Sequence, residues 1–444
     1  MPPSPINIRS PWIKHGFWNT LEHGVTRGSD ALTSLVLLWC LAPEVFSRLA
    51  LAQAIAAPVL ILFVSPELVI YRDFAKWRAE GISVLAARLR ALRLFSWGKG
   101  QAALVLAAVI AWALRSQGSW NTEFCALIWA FSLMLAPQLS GADREFLRLD
   151  LRLELLNLLS LYQKLFLFGG TAAVAILTPS RLDYLAAVAV LSAVSTAYFA
   201  KRSVEKSLVA QGATLAELKG KMGPPVVDTL KSSLKTFSMW IHLAGVLFNW
   251  VQSMDLFFLG VFAYSAREIG LYAAVLKIAN FSMALPMALA NLFQVWVGRR
   301  VQIAGDRREL VELSRLSFWL FAGSVAQALL IYWAGPYLFG FLSHGRWPLP
   351  EQVKMLGWLG WIMGGSVLIS CTFLLGSWLI VRTAASRLFF RVYLPWGLIS
   401  MAVYSISVYL GGTQMVATAN LIVGGVFLLL LWVYFYALAP MGDR

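Results

Sequence analysis

Charge is scarce in this chain. Only 13% of its 444 residues are Asp, Glu, Lys or Arg, against 59% hydrophobic. Soluble domains carry about a quarter charged residues, so an ordinary water-soluble domain is excluded. Cysteine is scarcer still. Cys40, Cys125 and Cys371 lie far apart in apolar segments, which rules out a disulfide framework and makes them small core residues. His15, His23, His242 and His344 have no zinc-ligand spacing. There is no phosphate-binding Walker sequence and no glycine-rich dinucleotide loop, so no cofactor, no metal and no enzymatic chemistry are expected. The opening segment, MPPSPINIRSPWIKHGFW, lacks the apolar core and cleavage site of a signal peptide. The first hydrophobic helix is therefore expected to target the chain itself.

Apolar stretches are what the chain has in quantity. They recur at the length of about 20 residues that a bilayer crossing requires. The pattern predicts an all-α polytopic membrane protein with about twelve spans. In order, these lie near 17–41, 50–70, 97–114, 121–139, 155–177 and 184–200, then, after a break, in two segments within 248–300, and near 316–339, 353–381, 388–410 and 416–437. The polar stretch Lys201–Lys235, with its Gly-Pro-Pro break at Gly223–Pro225, reads as a linker. This divides the chain into a six-helix lobe at 1–205, a basic linker at 206–235 and a second six-helix lobe at 236–444.

The chain is strongly basic, with 37 Lys and Arg against 22 Asp and Glu. In a soluble protein that excess would suggest nucleic acid, but here it distributes by membrane side. With alternate loops assigned to alternate sides, Arg48, Arg115, Arg181, Arg267, Arg346 and Lys354 fall on one side and nearly all the rest on the other. The positive-inside rule then places both termini in the cytoplasm, with no nucleic-acid partner needed. Basic loops of this kind also attract anionic membrane lipids. The basic residues from Arg72 to Lys99 are expected to run along the membrane surface as an amphipathic entry to span three.

Some charges fall inside the apolar stretches: Arg27 and Asp30 in span one, Lys164 in span five, Asp255 in span seven and Lys277 in span eight. A charge at membrane depth costs about 2.5–3.5 kcal/mol even on the lenient insertion scale and normally faces a protein interior or a wet cavity. Arg27 and Asp30 share a helical face, either as a contact for an anionic group or as a self-neutralising pair. Lys164 either lines the cavity or snorkels to the surface. Lys277 either meets cargo or pairs with Asp255, and Asp255 is a candidate for carrying a proton. Asn249 and Gln252 precede Asp255 at a three-residue step, and Asn280 follows Lys277 at the same step. One stripe of each helix is therefore polar and should face water or cargo.

Two sequence stretches repeat loosely: Asp30 followed by Glu44-Val45-Phe46-Ser47-x-Leu49-Ala50, and Asp255 followed by Glu268-Ile269-Gly270-x-Tyr272-Ala273. A proline follows each, Pro58 and Pro286. Six spans separate the copies, so they run in the same direction. That is the signature of two lobes related by a parallel repeat, with a cargo site between them. The second copy, through Asp255, Leu259-Gly260, Ile269-Gly270-x-Tyr272, Ala274, Lys277-Ile278 and Pro286, resembles the polysaccharide-biosynthesis flippases of the multidrug/oligosaccharidyl-lipid/polysaccharide exporter superfamily. The resemblance implies alternating access in a bacterial inner membrane. It implies an undecaprenyl-pyrophosphate-linked oligosaccharide as cargo, destined for lipopolysaccharide or exopolysaccharide. It also implies a glycan polymerase and other polysaccharide-assembly proteins as partners. The cargo cavity would be formed by Arg27, Asp30, Lys164, Asn249, Gln252, Asp255, Lys277 and Asn280. A multidrug or small-molecule exporter of the same superfamily is the alternative, and the intramembrane cations favour an anionic cargo in either case. A membrane glycan polymerase or ligase would need a large outer loop, and every outer loop here is short. The segment SPELVIYRDFAKWRAEG lacks the basic signature of a major-facilitator transporter.

Overall fold

The computed structural model describes residues 29–30, 32–63, 68–114, 120–150, 152–179, 181–214, 239–262, 264–283, 286 and 307–438. Every element among them is helical. The first lobe comprises α1 (residues 29–40), α2 (Pro43–Val59), α3 (Leu68–Ala79), α4 (Ile82–Ala113), α5 (Trp120–Leu139), α6 (Gly141–Leu149), α7 (Leu153–Leu177) and α8 (Leu182–Ala210). The second comprises α9 (Met239–Val251), α10 (Met254–Val261), α11 (Ala266–Asn280), α12 (Arg307–Ser343), α13 (Leu349–Arg382), α14 (Ala385–Leu388) and α15 (Leu394–Leu438).

Eight of these helices are long and apolar enough to cross a membrane, or nine if α9 and α10 form one bent span. The last segment, Ala385–Ala437, is 53 residues long. As a straight helix it would measure about 80 Å, more than twice a hydrocarbon core of about 30 Å. It breaks at Gly411 and Gly412, where φ reaches 60° at Gly412, a left-handed conformation that glycine adopts without steric cost. That break turns one long helix into two crossings. The expected spans near 17–41 and in the second half of 248–300 are described only in part, by α1 and α11.

Two boundaries differ from the sequence expectation. Span two lies at Pro43–Leu62 rather than 50–70, because the helix tightens into a 3₁₀ turn over Leu60–Leu62, just after Pro58. Ahead of span three, Lys76 and Arg78 are exposed on the separate helix α3, but the basic residues from Arg88 to Lys99 do not lie along a surface. They belong to α4 itself, and Arg88, Arg93 and Lys99 are all buried. Each is held by a partner: Arg88 by Glu80 at 2.8 Å, Arg93 by Asp143 in a two-pronged pair at 2.5 and 2.8 Å, and Lys99 by the Gln138 amide oxygen at 2.7 Å. The short amphipathic helix α6 supplies Asp143 and also packs Phe146 and Leu147 into a small core with Trp77, Leu89 and Leu208.

The lobes meet along α2. It carries buried alanines on two faces (Ala50, Ala54 and Ala57 on one, Ala52 and Ala56 on the other), and small side chains let helix backbones approach closely. α11 packs along it, with Gly270 so near Pro43 that an added Cβ would collide with the Pro43 carbonyl. At the end of the bundle away from the basic loops, the second lobe grips the first. Arg346 donates from Nη1 to the Leu41 carbonyl at 3.2 Å and from Nη2 to the Trp39 carbonyl. Arg267 pairs with Glu351 at 2.9 Å, reaches Glu44 across the interface at 3.5 Å, and donates to the Arg346 carbonyl at 3.0 Å.

Candidate functional site

A cavity of about 620 Å³ lies between the lobes. It is walled by α1, α2, α5, α6, α7 and α8 from the first lobe and by α9, α11 and the 3₁₀ turn Phe281–Met283 from the second. Six of the residues picked out in the sequence line it: Asp30, Lys164, Asn249, Gln252, Lys277 and Asn280. Arg27 lies outside the described residues.

The charges are arranged asymmetrically. Lys164, on α7, donates to the Asp30 carboxylate at 2.5 Å, and Ser29 Oγ donates to the Lys164 carbonyl at 3.3 Å. Lys164 therefore does not snorkel to the surface. It ties span five to span one inside the cavity wall. Lys277 does not pair with Asp255. Its Nζ donates to Gln53 Oε1 across the lobe interface at 2.8 Å, and no carboxylate forms an ion pair with it among the described residues. Arg144 from α6 completes the charged lining and donates to Ser160 at 2.7 Å. Among the described residues, the wall thus holds three cationic side chains and one carboxylate.

Asp255 does not line this cavity, which corrects the sequence reading. The span bends by 57° where α9 gives way to α10, and the bend turns Asp255 into the interior of the second lobe, where it is 1% exposed. There it opens α10 and accepts from the Leu256 N–H at 2.8 Å, a favourable place for a carboxylate. It also accepts from the Tyr272 hydroxyl at 3.0 Å. Tyr272 in turn accepts from Asn420, whose side-chain oxygen accepts from Tyr404 at 2.9 Å. Other positions of the second repeat are packing positions too. Leu259 is fully buried, Gly260 faces Leu51 of α2, and Gly270 faces Pro43. The motif mainly builds the second lobe and its seam with the first; its Lys277 joins the polar stripe in lining the cavity.

Sequence reasoning missed Gln53 and Arg144. Gln53 carries no charge, and its only signal was a single amide in the alanine-rich stretch LALAQAIAAP. Arg144 sits in the mixed-charge segment GADREFLRLDLRLE, which reads as surface until α6 is seen folding back beneath the lobe.

No protein-family model matches the sequence, and no curated protein matches it. Solved structures do. An inward-facing multidrug resistance MATE family transporter of the MOP superfamily aligns with a TM-score of 0.64 at 13% identity, covering 95% of each chain. An outward-facing conformation of such a transporter aligns with a TM-score of 0.61 at 13% identity, covering 98% of each. A MOP superfamily transporter from Pyrococcus furiosus, described as having a binding pocket of reverse polarity that suggests a different function, aligns with a TM-score of 0.57 at 12% identity. That match covers 96% of this chain and 95% of the other. From end to end, the chain has the two-lobe membrane fold of the MATE transporters of the MOP superfamily.

Proposed function

We propose that this chain is an alternating-access exporter whose cargo is an amphipathic anion. The observation that carries the reading is Lys277, a cation in the chamber between the lobes whose hydrogen-bond partner is a neutral amide. A charge withdrawn from water with no carboxylate in ion-pair contact is costly, and an anionic cargo would supply that contact, which the more distant Asp30 of the same wall does not. Lys164 and Arg144 add to the positive field, while Asp30 offsets one of them. Apolar neighbours in the same wall, Leu37, Trp129 and Phe248 among them, suit the rest of an amphipathic molecule. The charge distribution of the loops supports placement in a bacterial inner membrane with the basic face and both termini in the cytoplasm.

The likeness to multidrug transporters solved inward- and outward-facing favours a small organic anion as the cargo. The flippase-like stretch around Asp255 and Tyr272 favours a second reading, an anionic lipid-linked oligosaccharide. Of its residues, Asp255, Leu259 and Tyr272 are buried in the second lobe while Lys277 faces the chamber and would serve either cargo, so the likeness to the multidrug transporters decides and the first reading is preferred.

Inside-out membrane vesicles containing the chain should accumulate a fluorescent organic anion, and Lys277→Glu should abolish the uptake. Accumulation of organic cations instead, or uptake indifferent to Lys277→Glu, would overturn the reading. Depleting the protein in its host separates the two cargoes. Loss of surface polysaccharide with a build-up of lipid-linked intermediates selects the second, and sensitivity to organic anions selects the first.

A further inference from the structure

A second cavity, of about 350 Å³, lies wholly within the second lobe. Its walls come from α9, α13, α14 and α15 and carry Trp240, Phe248, Phe373, Tyr393 and Phe427. Its size and its mostly apolar lining fall in the ordinary range for a small-ligand site.

Four features argue against its being mere slack in the packing. A Cβ built on Gly245 or Gly376, both in its wall, would meet no heavy atom within 4 Å, so the space is kept open by the smallest residue. Phe248 and Asn249 line this cavity and the central one alike, so the two adjoin across α9. Asn249 is exposed on that shared wall, and neither its amide nor the Tyr393 hydroxyl makes a hydrogen bond among the described residues. The wall at Tyr393 ends a π-helical turn, Phe389–Tyr393, a rare geometry that appears mostly at functional sites.

Resting on the reading of the chain as an exporter of amphipathic anions, we propose that this cavity is the subsite for the unsaturated apolar portion of the cargo. The anionic group is held beside Lys277 in the central chamber, and Asn249 contacts the junction between the two portions. Five aromatic rings favour a flat ring or a chain of double bonds over a saturated tail, through stacking and edge contacts. Such groups belong equally to an aromatic small molecule and to a prenyl lipid, and the probes distinguish these sources.

The test uses the full-length protein in nanodiscs and three probes: inorganic phosphate, naphthyl phosphate and farnesyl phosphate. At least one organic phosphate should bind about tenfold or more tightly than inorganic phosphate. Gly376→Leu and Gly245→Leu, which fill the cavity, should remove most of that gain, and Lys277→Gln should weaken all three probes. A gain confined to naphthyl phosphate supports the subsite and assigns it to a small molecule, whereas one confined to farnesyl phosphate supports it and assigns it to a lipid. If both glycine variants keep the full gain while Lys277→Gln still weakens binding, the subsite is wrong and the exporter reading stands. If no probe binds, both fall. Should a glycine variant fail to fold, a photoreactive farnesyl phosphate on the unmodified protein decides. Attachment to Phe373 or Tyr393 supports the subsite, and attachment confined to α1, α5 or α7 overturns it.

Discussion

Lys277 and Asp255 were equally conspicuous in the sequence, each a lone charge in an apolar stretch, yet they have different work. Lys277 faces the chamber and touches Gln53, while Asp255 is sealed among Leu256, Tyr272 and the Asn420–Tyr404 pair. Periodicity could not separate them, because it assumes a straight helix and the span bends just ahead of Asp255. The difference predicts opposite phenotypes. Lys277→Gln should lower affinity for an organic anion by about tenfold or more, since an unpaired charge on the cargo would then be left in the chamber. Lys277→Arg should retain most of it, and equilibrium binding in nanodiscs measures both. Asp255→Ala should leave anion affinity near its original value. It should destabilise the fold by about 1–3 kcal/mol, the cost of stranding buried hydrogen-bond donors, read as a lower midpoint of thermal unfolding. Asn249, Gln252 and Asn280 were legible as a stripe. Gln53 was not, because a neutral amide among alanines looks the same whether it faces a cavity or a neighbouring helix.

Among the helices, the order of the described spans followed from apolar length, while the ends of spans two and three did not. Hydropathy marks where a helix turns polar and takes that for the membrane boundary, but α4 runs on through Arg88, Arg93 and Lys99 because partners on α5, α6 and the α3–α4 turn satisfy them. The Arg93–Asp143 pair offers a clean measurement. Losing one partner of a buried ion pair costs about 3–5 kcal/mol, whereas replacing both with apolar residues is often close to neutral. Arg93→Leu or Asp143→Leu alone should therefore destabilise the first lobe far more than the two together, and a double-mutant cycle on unfolding midpoints would show it. The seam between α2 and α11 makes a different prediction. Gly270→Val places a branched side chain against the Pro43 carbonyl. It should favour the arrangement in which the lobes separate at that end, read as faster labelling of a cysteine placed at Leu37 by a membrane-impermeant maleimide in a background lacking Cys40, Cys125 and Cys371.

The parallel repeat put two lobes and an interfacial site within reach of the sequence. Which end is closed was beyond it, since that depends on contacts between residues hundreds of positions apart. Arg346 and Arg267 hold the lobes together at the end away from the basic loops. Hydrogen bonds from a charged group contribute about 1.5–3 kcal/mol each. Arg346→Ala should therefore raise the labelling rate at the same reporter cysteine several-fold, and Arg267→Ala should do so with a weaker dependence on salt than the unmodified protein shows.

The acceptors Arg346 holds in the first lobe are main-chain oxygens, those of Trp39 and Leu41. Every amino acid supplies that oxygen, so side-chain changes at either position leave the clasp its footing. That backbone clasp belongs to one guanidinium on one loop: a change at Arg346 releases it and leaves the Arg267–Glu44 ion pair across the same end.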